Sequence, residues 1–323
     1  MTRVMQGLPY VEVEYSIGPI PIDDMRGKEI VTRFSTQINS NQTFHTDSNG
    51  REFLNRHRDS RPSWPLKVYE PVAGNYYPVN AAIYIEDQNS SLAVLVDRSQ
   101  GGSSLSDGSV ELMAQRRTVA DDDRGVAEPM NETDGGVTPY PPYGNATRWG
   151  NGIVVRGVYR IMVGGGKKGA SIARSEMDSA FSPPMIFVAS TPQKAAEPKI
   201  RDSFSLLRQN LPKGVMLITF RKVPKQDSLF LVRFGHQFGI NEDMKNSHPI
   251  SIDLSTVFKN FKLSTVEEVT LSGNQKYNDW VKNRLDWSGS GPLPPSLVND
   301  TQTVVTLRPM EIRTFLLKLL PVQ

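Results

Sequence analysis

Most of the chain consists of short runs of Val, Ile, Leu, Phe and Tyr, each bounded by Gly, Pro, Asn, Asp or Ser. Apolar and polar residues alternate in several runs, and a period of two is typical of β-strands with one buried face. Helical periodicity is weak, and residues 107–117 suit either a strand or about three turns of helix. We therefore predict an all-β protein of packed antiparallel sheets. The runs that support this prediction include YVEVEYSIG, AAIYIED, SLAVLVD, GIVVRGVYRIMVG, GVMLITFRKV, SLFLVRFGHQF and TVVTLRPMEIRTFLLKL.

A change of composition divides the chain into two strand-rich blocks. Residues 190–212 are rich in proline and charge and lack alternation, as is typical of a connection between domains. The length of 323 residues is sufficient for two domains of ordinary size. We predict a large β-sandwich over residues 1–195, a linker over 196–212 and a C-terminal β-sandwich over 213–323.

Charge and cysteine content exclude several classes of function. Lys and Arg number 37 against 34 Asp and Glu, and the two signs are interspersed, so no basic stripe indicates a nucleic-acid partner. The absence of cysteine excludes a thiolate nucleophile, a disulfide scaffold and a Cys-ligated metal. No apolar run is long enough to span a bilayer, so we expect no membrane partner.

Local motifs for a complete catalytic or metal site are missing. GGGKKG from Gly164 lacks the Ser or Thr of a phosphate loop, and with no evident helix after it we predict a hairpin tip. The four histidines have no metal-ligand spacing, and we expect His236, in a strand-like run, to be a hydrogen-bonded structural residue. The Gly-x-Ser-x-Gly motif that carries the nucleophile of many serine hydrolases is also missing, which weighs modestly against that class of enzyme.

The segment Asp97 to Pro129 is the densest cluster of glycine, hydroxyl, carboxylate and guanidinium groups. Its three consecutive acids, Asp121 to Asp123, resemble a glycosidase carboxylate pair only superficially, because successive side chains alternate faces and adjacent acids in loops are usually solvated. Arg124 follows them directly, and a guanidinium held by neighbouring carboxylates is oriented to grip vicinal hydroxyls or another carboxylate.

Long stretches of the chain resemble the C-terminal half of lysosomal-type α-mannosidases, glycoside hydrolase family 38. They are FHTDSNGREFLNR, EPVAGNYYPVNAAIYIED, DRSQGGSSLSDGSVELMAQRRTVADDDRGVAEPMNE, HQFGINED and TLRPMEIRTFLL. The resemblance implies a galactose-mutarotase-like super-sandwich followed by a smaller β-sandwich, without the catalytic barrel. The family's nucleophile and zinc ligands lie in that barrel, so no catalytic residue and no zinc ligand can be assigned to this sequence.

The resemblance also implies an activity and a role for the polar segment. The family removes terminal α-mannosyl residues with retention of configuration, through a glycosyl-enzyme, while zinc holds the sugar hydroxyls. Its loop corresponding to RRTVADDDRG reaches toward the cleft of the barrel, which implies that Arg124 contacts the substrate and that Asp122 and Asp123 orient it. The implied partners are mannose-containing glycans and the barrel and helical domains of the same enzyme, in the same chain or as a separate subunit.

Two signals on the compartment conflict. The N-terminus lacks the apolar stretch of a signal peptide, which taken literally indicates a cytosolic protein. The family and five N-glycosylation triplets instead indicate the lumen of a lysosome or vacuole, and a fragment without its true N-terminus would show this combination. The candidate glycosylated residues are Asn41, Asn89, Asn131, Asn145 and Asn299.

Two alternatives to a portion of an enzyme remain open. A stand-alone carbohydrate-binding module would need a shallow aromatic platform, for which Tyr76, Tyr77 and Trp149 are the candidates. An inactive remnant would need no such surface.

Overall fold

The computed structural model describes residues 1–120, 130–134, 136–137, 151–181, 184–188, 203–285, 287 and 302–322. The chain divides into two compact units, Met1–Pro184 and Met185–Gln323. The predicted boundaries at 195 and 212 stay predictions, and the first of them lies in residues 189–202, which are outside the described part. All the sheets of the described residues are antiparallel and no barrel occurs among them, which confirms the predicted fold class.

The first unit is built on two large sheets. Its elements are β1 (Thr2–Val4), β2 (Val11–Ile17), β3 (Lys28–Ser35), β4 (Thr43–Ser48), β5 (Glu52–His57), a 3-10 helix (Ala73–Asn75), β6 (Tyr77–Val79), β7 (Ala82–Glu86), β8 (Ser90–Val96), β9 (Gln100–Ser103), β10 (Ser109–Arg117), β11 (Glu132–Thr133), β12 (Gly136–Val137), β13 (Val155–Gly165) and helix α1 (Gly169–Phe181). One sheet has the strand order β1-β2-β13-β8-β7-β4-β5 and the other β3-β10-β9-β6, while β11 and β12 pair separately. Residues 107–117, left open between helix and strand, contribute the nine-residue strand β10.

Strand β8 shows why the two sheets and α1 form layers. Leu92, Val94 and Val96 belong to a buried cluster that includes residues of β10, so the two sheets pack face to face. Ala93 and Leu95 point the other way and belong to a cluster that includes residues of α1. Because successive side chains of a strand alternate faces, an unbroken apolar run here covers both sides of the sheet.

The hairpin tip predicted for GGGKKG is wrong. Strand β13 ends at Gly165, Gly166 has φ +70°, and α1 begins at Gly169. A Cβ at Gly169 would lie 2.1 Å from the ring of Tyr84, so only glycine lets the helix begin so close to the sheet. The N–H of Gly169 donates to Oε2 of Glu86 at 2.9 Å, and this carboxylate takes the place that a phosphate would occupy at a helix N-terminus.

The turn between β4 and β5, at residues 47–50, is held by a buried carboxylate. Gly50 has φ +71°. Asp47 is 2% exposed; its Oδ2 accepts from the N–H of Gly50 at 2.7 Å, and its Oδ1 accepts from the N–H groups of Asn80, Ala81 and Ala82 at 2.7–2.9 Å. One carboxylate therefore ties the β4–β5 turn to the start of β7.

The second unit has its own core. Its elements are β14 (Val215–Lys222), β15 (Leu229–His236), β16 (Ile250–Asp253), α2 (Leu254–Val257), β17 (Phe261–Val269), α3 (Tyr277–Asn283), β18 (Val304–Leu307) and β19 (Ile312–Pro321). A four-stranded sheet has the order β14-β15-β19-β17, and β16 pairs with β18. Phe234, Phe315 and Leu317 of the sheet pack with Phe258 and Leu307. Among the helices of the described ranges, none has the length and hydropathy needed to cross a membrane.

Candidate functional site

The predicted substrate-contacting residues Asp122, Asp123 and Arg124 lie outside the described residues, and their role stays a prediction. The structure describes the chain on both sides of residues 121–129. The site is therefore defined by the residues that hold the two ends of this segment.

Arg117, the last residue of β10, joins the two ends. Its Nε donates to Oδ1 of Asn131 at 2.7 Å, across the 121–129 segment. Its Nη1 donates to the carbonyl of Ile20 at 2.8 Å, which ties both ends to the segment before β3. A Cβ at Gly152 would lie 2.6 Å from Nη1, so the guanidinium packs directly on the backbone of that glycine.

A second set of contacts closes the base of the neighbouring segment 138–150. The N–H of Asp134 donates to the carbonyl of Asn151 at 2.9 Å, and the N–H of Asn151 donates to Oδ1 of Asp134 at 2.7 Å. Thr133 and Gly152 form an antiparallel bridge. We call Arg117, Asn131, Thr133, Asp134, Asn151 and Gly152 the neck. The neck fixes where residues 121–129 leave and rejoin the first unit.

A small cavity of about 170 Å³ lies beside the neck. It is lined by residues 19–23 together with Arg117, Asn151 and Gly152. It offers the backbone carbonyl of Ile20 and the Arg117 guanidinium, which already bind each other. The polar groups of this cavity are thus used by the contacts that hold the ends of the 121–129 segment.

The glycines and serines that precede β10 have structural roles. A Cβ at Gly102 would lie 2.6 Å from Cγ2 of Val79, and one at Gly101 would lie 3.2 Å from the ring of Tyr76. Ser103 is fully buried and donates to the carbonyl of Asn75 at 2.8 Å. The two glycines let β9 pass close to its neighbours, and the hydroxyl of Ser103 forms a hydrogen bond within the protein.

The two candidate tyrosines of an aromatic platform are already engaged. The hydroxyl of Tyr76 donates to the buried carboxylate of Glu111, which also accepts from Nε of Arg33 at 2.9 Å. Burial first, and then the hydrogen bond to Glu111, raise the pKa of Tyr76. Tyr77 is 9% exposed, with the guanidinium of Arg56 4.2 Å from its ring centre. Trp149, the third candidate, lies outside the described residues.

The histidines serve packing and hydrogen bonding. His236 accepts at Nδ1 from the N–H of Phe238 at 3.2 Å, so the neutral ring donates from Nε2 to the carbonyl of His248 at 2.9 Å, which confirms the predicted structural role. His45 stacks on Tyr84 with ring centres 4.3 Å apart, and burial lowers its pKa to about 4. No group of three or more His, Asp or Glu that would hold a metal ion occurs among the described residues. The described residues therefore supply no complete ligand set for the zinc that the family uses.

The glycosylation candidates differ in their surroundings. Asn41 and Asn89 are exposed, and Asn41 has φ +47°. Asn131 is half-buried and accepts from Arg117 in the neck. Asn145 and Asn299 lie outside the described residues.

Comparison with known proteins defines the family. Residues 1–124 match the glycosyl hydrolases family 38 C-terminal domain, and residues 214–315 match the glycosyl hydrolases family 38 C-terminal beta sandwich domain. The chain therefore belongs to glycosyl hydrolase family 38, in which it corresponds to the C-terminal region.

The relatives are considerably longer than this chain. The lysosomal alpha-mannosidase of Bos taurus is 41% identical over 313 residues, which cover 95% of this chain and 29% of that protein. The lysosomal alpha-mannosidase of Homo sapiens is 40% identical, over 98% of this chain and 30% of that protein. The alpha-mannosidase of Canavalia ensiformis is 38% identical, over 98% and 32%. The chain thus spans about 30% of the length of these relatives.

Solved structures with low identity share the fold. The crystal structure of an alpha-mannosidase from Enterococcus faecalis V583 matches with a TM-score of 0.57 and 12% identity, covering 98% of this chain and 28% of that one. This match supports the β architecture alone.

Proposed function

We propose that the chain is the C-terminal β-sandwich portion of an α-mannosidase that removes terminal α-D-mannosyl residues from glycans with retention of configuration. The observation that carries the proposal is identity of about 40% to α-mannosidases along nearly the whole chain, with a family match in each unit. Because these residues correspond to about 30% of the relatives, we place the nucleophile and the zinc site outside them.

In this proposal the chain supplies a scaffold and one substrate-contacting loop. The guanidinium of Arg124 donates hydrogen bonds to hydroxyls of the bound sugar, and Asp122 and Asp123 orient it. Two observations support this role. The family match of the first unit extends to residue 124, and the neck holds both ends of the 121–129 segment within hydrogen-bond distance of one side chain.

The same proposal gives the partners and the compartment. The barrel and helical domains of the same enzyme complete the site, mannose-containing glycans are the substrates, and the isolated chain is inactive. Relatives named lysosomal support residence in the lumen of a lysosome or vacuole, where Asn41 and Asn89 are exposed acceptors for N-linked glycans. A loss of apparent mass after treatment of the secreted protein with an N-glycosidase tests this part, and an unchanged mass argues against it.

The experiment on the enzyme portion uses a fusion. The chain replaces the matched region of the Bos taurus relative, and hydrolysis of 4-nitrophenyl α-D-mannopyranoside is measured at acidic pH with added zinc. We expect turnover by the fusion. We expect Arg124→Ala to lower kcat/KM by about tenfold or more, the effect of losing one charge-assisted hydrogen bond to the substrate.

The matched control is Arg116→Ala. Arg116 lies on the exposed end of β10, 3.6 Å from a carboxylate oxygen of Glu29, and we expect its replacement to change kcat/KM by less than about twofold. A folded fusion without turnover contradicts the assignment of the chain to the enzyme. A fusion whose activity is unchanged by Arg124→Ala contradicts the role of the loop.

A further inference from the structure

A cavity with a volume of about 810 Å³ lies in the second unit. This volume falls within the range of about 300–1,000 Å³ that is usual for small-molecule sites. Its walls come from β15, from the end of β17 with the following turn, from α3 and from residues 311–314 at the start of β19. None of the neck residues lines it.

Two arginines build the walls of this cavity. Nε and Nη2 of Arg233 both donate to the carbonyl of Leu271, at 3.0 and 2.9 Å, which fixes the turn after β17. Nε and Nη2 of Arg313 donate to the two carboxylate oxygens of Glu268 at 2.7 and 2.6 Å, in a pair whose side chains are each 7% exposed. Because bidentate contacts hold these walls, the cavity is formed before a ligand binds.

The charges that line the cavity cancel. Arg233 and Arg313 carry two positive charges, and Glu268 and Glu311 carry two negative ones. A charged ligand gains no net electrostatic attraction from such a lining, whereas the binding of an uncharged ligand does not depend on such attraction. The lining therefore favours a neutral ligand over a phosphate or an amine.

Two aromatic rings of α3 form one side of the cavity. The rings of Tyr277 and Trp280 have centres 5.5 Å apart and planes at 49°, which makes an angled apolar corner. Each ring is partly exposed. Such a corner fits the apolar faces of a ring-shaped ligand, and stacking orients that ligand without a charge.

The residues that line the cavity also carry polar atoms without partners. Oε1 of Glu311 and Oγ1 of Thr314 are buried and have no hydrogen-bond partner within the described chain. Oε2 of Glu311 accepts from the N–H of Arg308 at 2.7 Å, so its unpaired oxygen belongs to a side chain that is otherwise held in place. An unpaired buried oxygen is unfavourable, and rotation of either side chain toward the cavity would let a ligand hydroxyl supply the missing hydrogen bond.

We propose that this cavity binds a neutral pyranose sugar, with its apolar face against Trp280 and Tyr277 and its hydroxyls hydrogen-bonded to Glu311 and Thr314. The proposal does not depend on the role of residues 121–129. It assigns a ligand-binding site to the second unit.

The experiment titrates the whole chain with methyl α-D-mannopyranoside and methyl β-D-glucopyranoside, with inorganic phosphate as a charged probe. Binding is followed by saturation-transfer-difference NMR and by tryptophan fluorescence. We expect saturable binding of at least one glycoside with a Kd on the order of millimolar, and no binding of phosphate. We expect Trp280→Ala and Glu311→Gln each to raise that Kd by about tenfold or more.

Trp287→Ala is the matched control, because Trp287 is 70% exposed and does not line the cavity. We expect it to leave the Kd unchanged. Thermal unfolding of every variant separates loss of binding from loss of the fold, and Glu311→Gln carries the test if Trp280→Ala does not fold.

Three results would overturn the proposal. They are no saturable binding by the folded chain, a Kd that both folded cavity variants leave unchanged, and dimerisation through this cavity, seen in sedimentation and abolished by Trp280→Ala. Binding of phosphate in place of the glycosides would overturn the inference of a neutral ligand.

Discussion

Replacement of Arg117 by alanine tests whether one side chain holds the neck. The change removes the hydrogen bond from Nε to Asn131 and the one from Nη1 to the carbonyl of Ile20. Hydrogen bonds from a charged donor contribute about 1.5–3 kcal/mol each, and the lower value applies because Arg117 and Asn131 are only half-buried. We therefore expect the free energy of unfolding to fall by about 3 kcal/mol.

Urea unfolding of the whole chain measures this change, with the slope m checked for constancy between variants. The neighbouring Arg116→Ala serves as the control. Its ion pair with Glu29 joins side chains that are 41% and 43% exposed, so we expect a loss below about 0.5 kcal/mol. In the fusion with the Bos taurus relative, we expect Arg117→Ala to lower kcat/KM as well, because Arg117 positions the segment that contains Arg124.

A double-mutant cycle with Gly152→Ala decides whether the mechanism is correct. The added methyl group would lie 2.6 Å from Nη1 of Arg117, so the guanidinium must shift away from Ile20. In the Arg117→Ala background this clash is absent, and we expect the two losses to be non-additive by about 1 kcal/mol or more. Losses that add within error would show that Arg117 and Gly152 do not interact as this contact requires.

Three further predictions concern buried polar groups. Asp47→Ala leaves four backbone N–H groups without their acceptor and should lower the free energy of unfolding, measured in urea, by about 4 kcal/mol. Asp47→Asn keeps one carbonyl oxygen and should cost about half as much. Equal losses from the two variants would contradict the role of the accepted hydrogen bonds. The pKa of His45 is about 4 in the folded chain and about 6.5 in the unfolded chain, so its full contribution to stability is present above pH 6.5. The free energy of unfolding should fall by up to about 3 kcal/mol as the pH falls from 6.5 to 4. His45→Phe, which keeps a ring against Tyr84, should weaken this pH dependence in thermal unfolding, and an unchanged pH dependence would contradict its assignment to His45. Glu268→Gln removes the negative charge that binds the buried guanidinium of Arg313 and should lower the free energy of unfolding by about 3 kcal/mol. Glu267→Gln, which breaks the exposed pair with Lys276, should lower it by less than about 0.5 kcal/mol, and similar losses from the two variants would show that burial is not the cause.

The sequence predicts strands such as β2, β8 and β13 because each of them carries its own signal, whereas the short strand β9, with the sequence QGGS, carries none. In β3 the burial alternates from residue to residue, and in β2 the polar and apolar residues alternate. In β8 an unbroken apolar run indicates burial on both faces. Helix α1 carries a weaker signal. Its buried residues include Ala170, Ala173 and Met177, and alanine contributes little to an apolar pattern. Packing against the sheet selects the helix, and that information is not local.

The candidate site is predictable only in part. Composition and resemblance direct attention to the segment around Arg124, but they give no indication of Arg117. Its two acceptors lie 97 and 14 residues away in the sequence, and no spacing rule connects such positions. Likewise, the cavity of the second unit is assembled from four separate elements, so Trp280 and Glu311 show no common pattern in the sequence.

The α-mannosidase activity of the purified chain alone tests directly whether the nucleophile lies outside it. The measurement is hydrolysis of 4-nitrophenyl α-D-mannopyranoside at acidic pH with added zinc, over a range of chain concentrations. We expect no turnover above the buffer rate, while the fusion with the barrel of a relative is active. Turnover proportional to the concentration of the isolated chain, and lost on Arg124→Ala without unfolding, would instead place a nucleophile within these 323 residues.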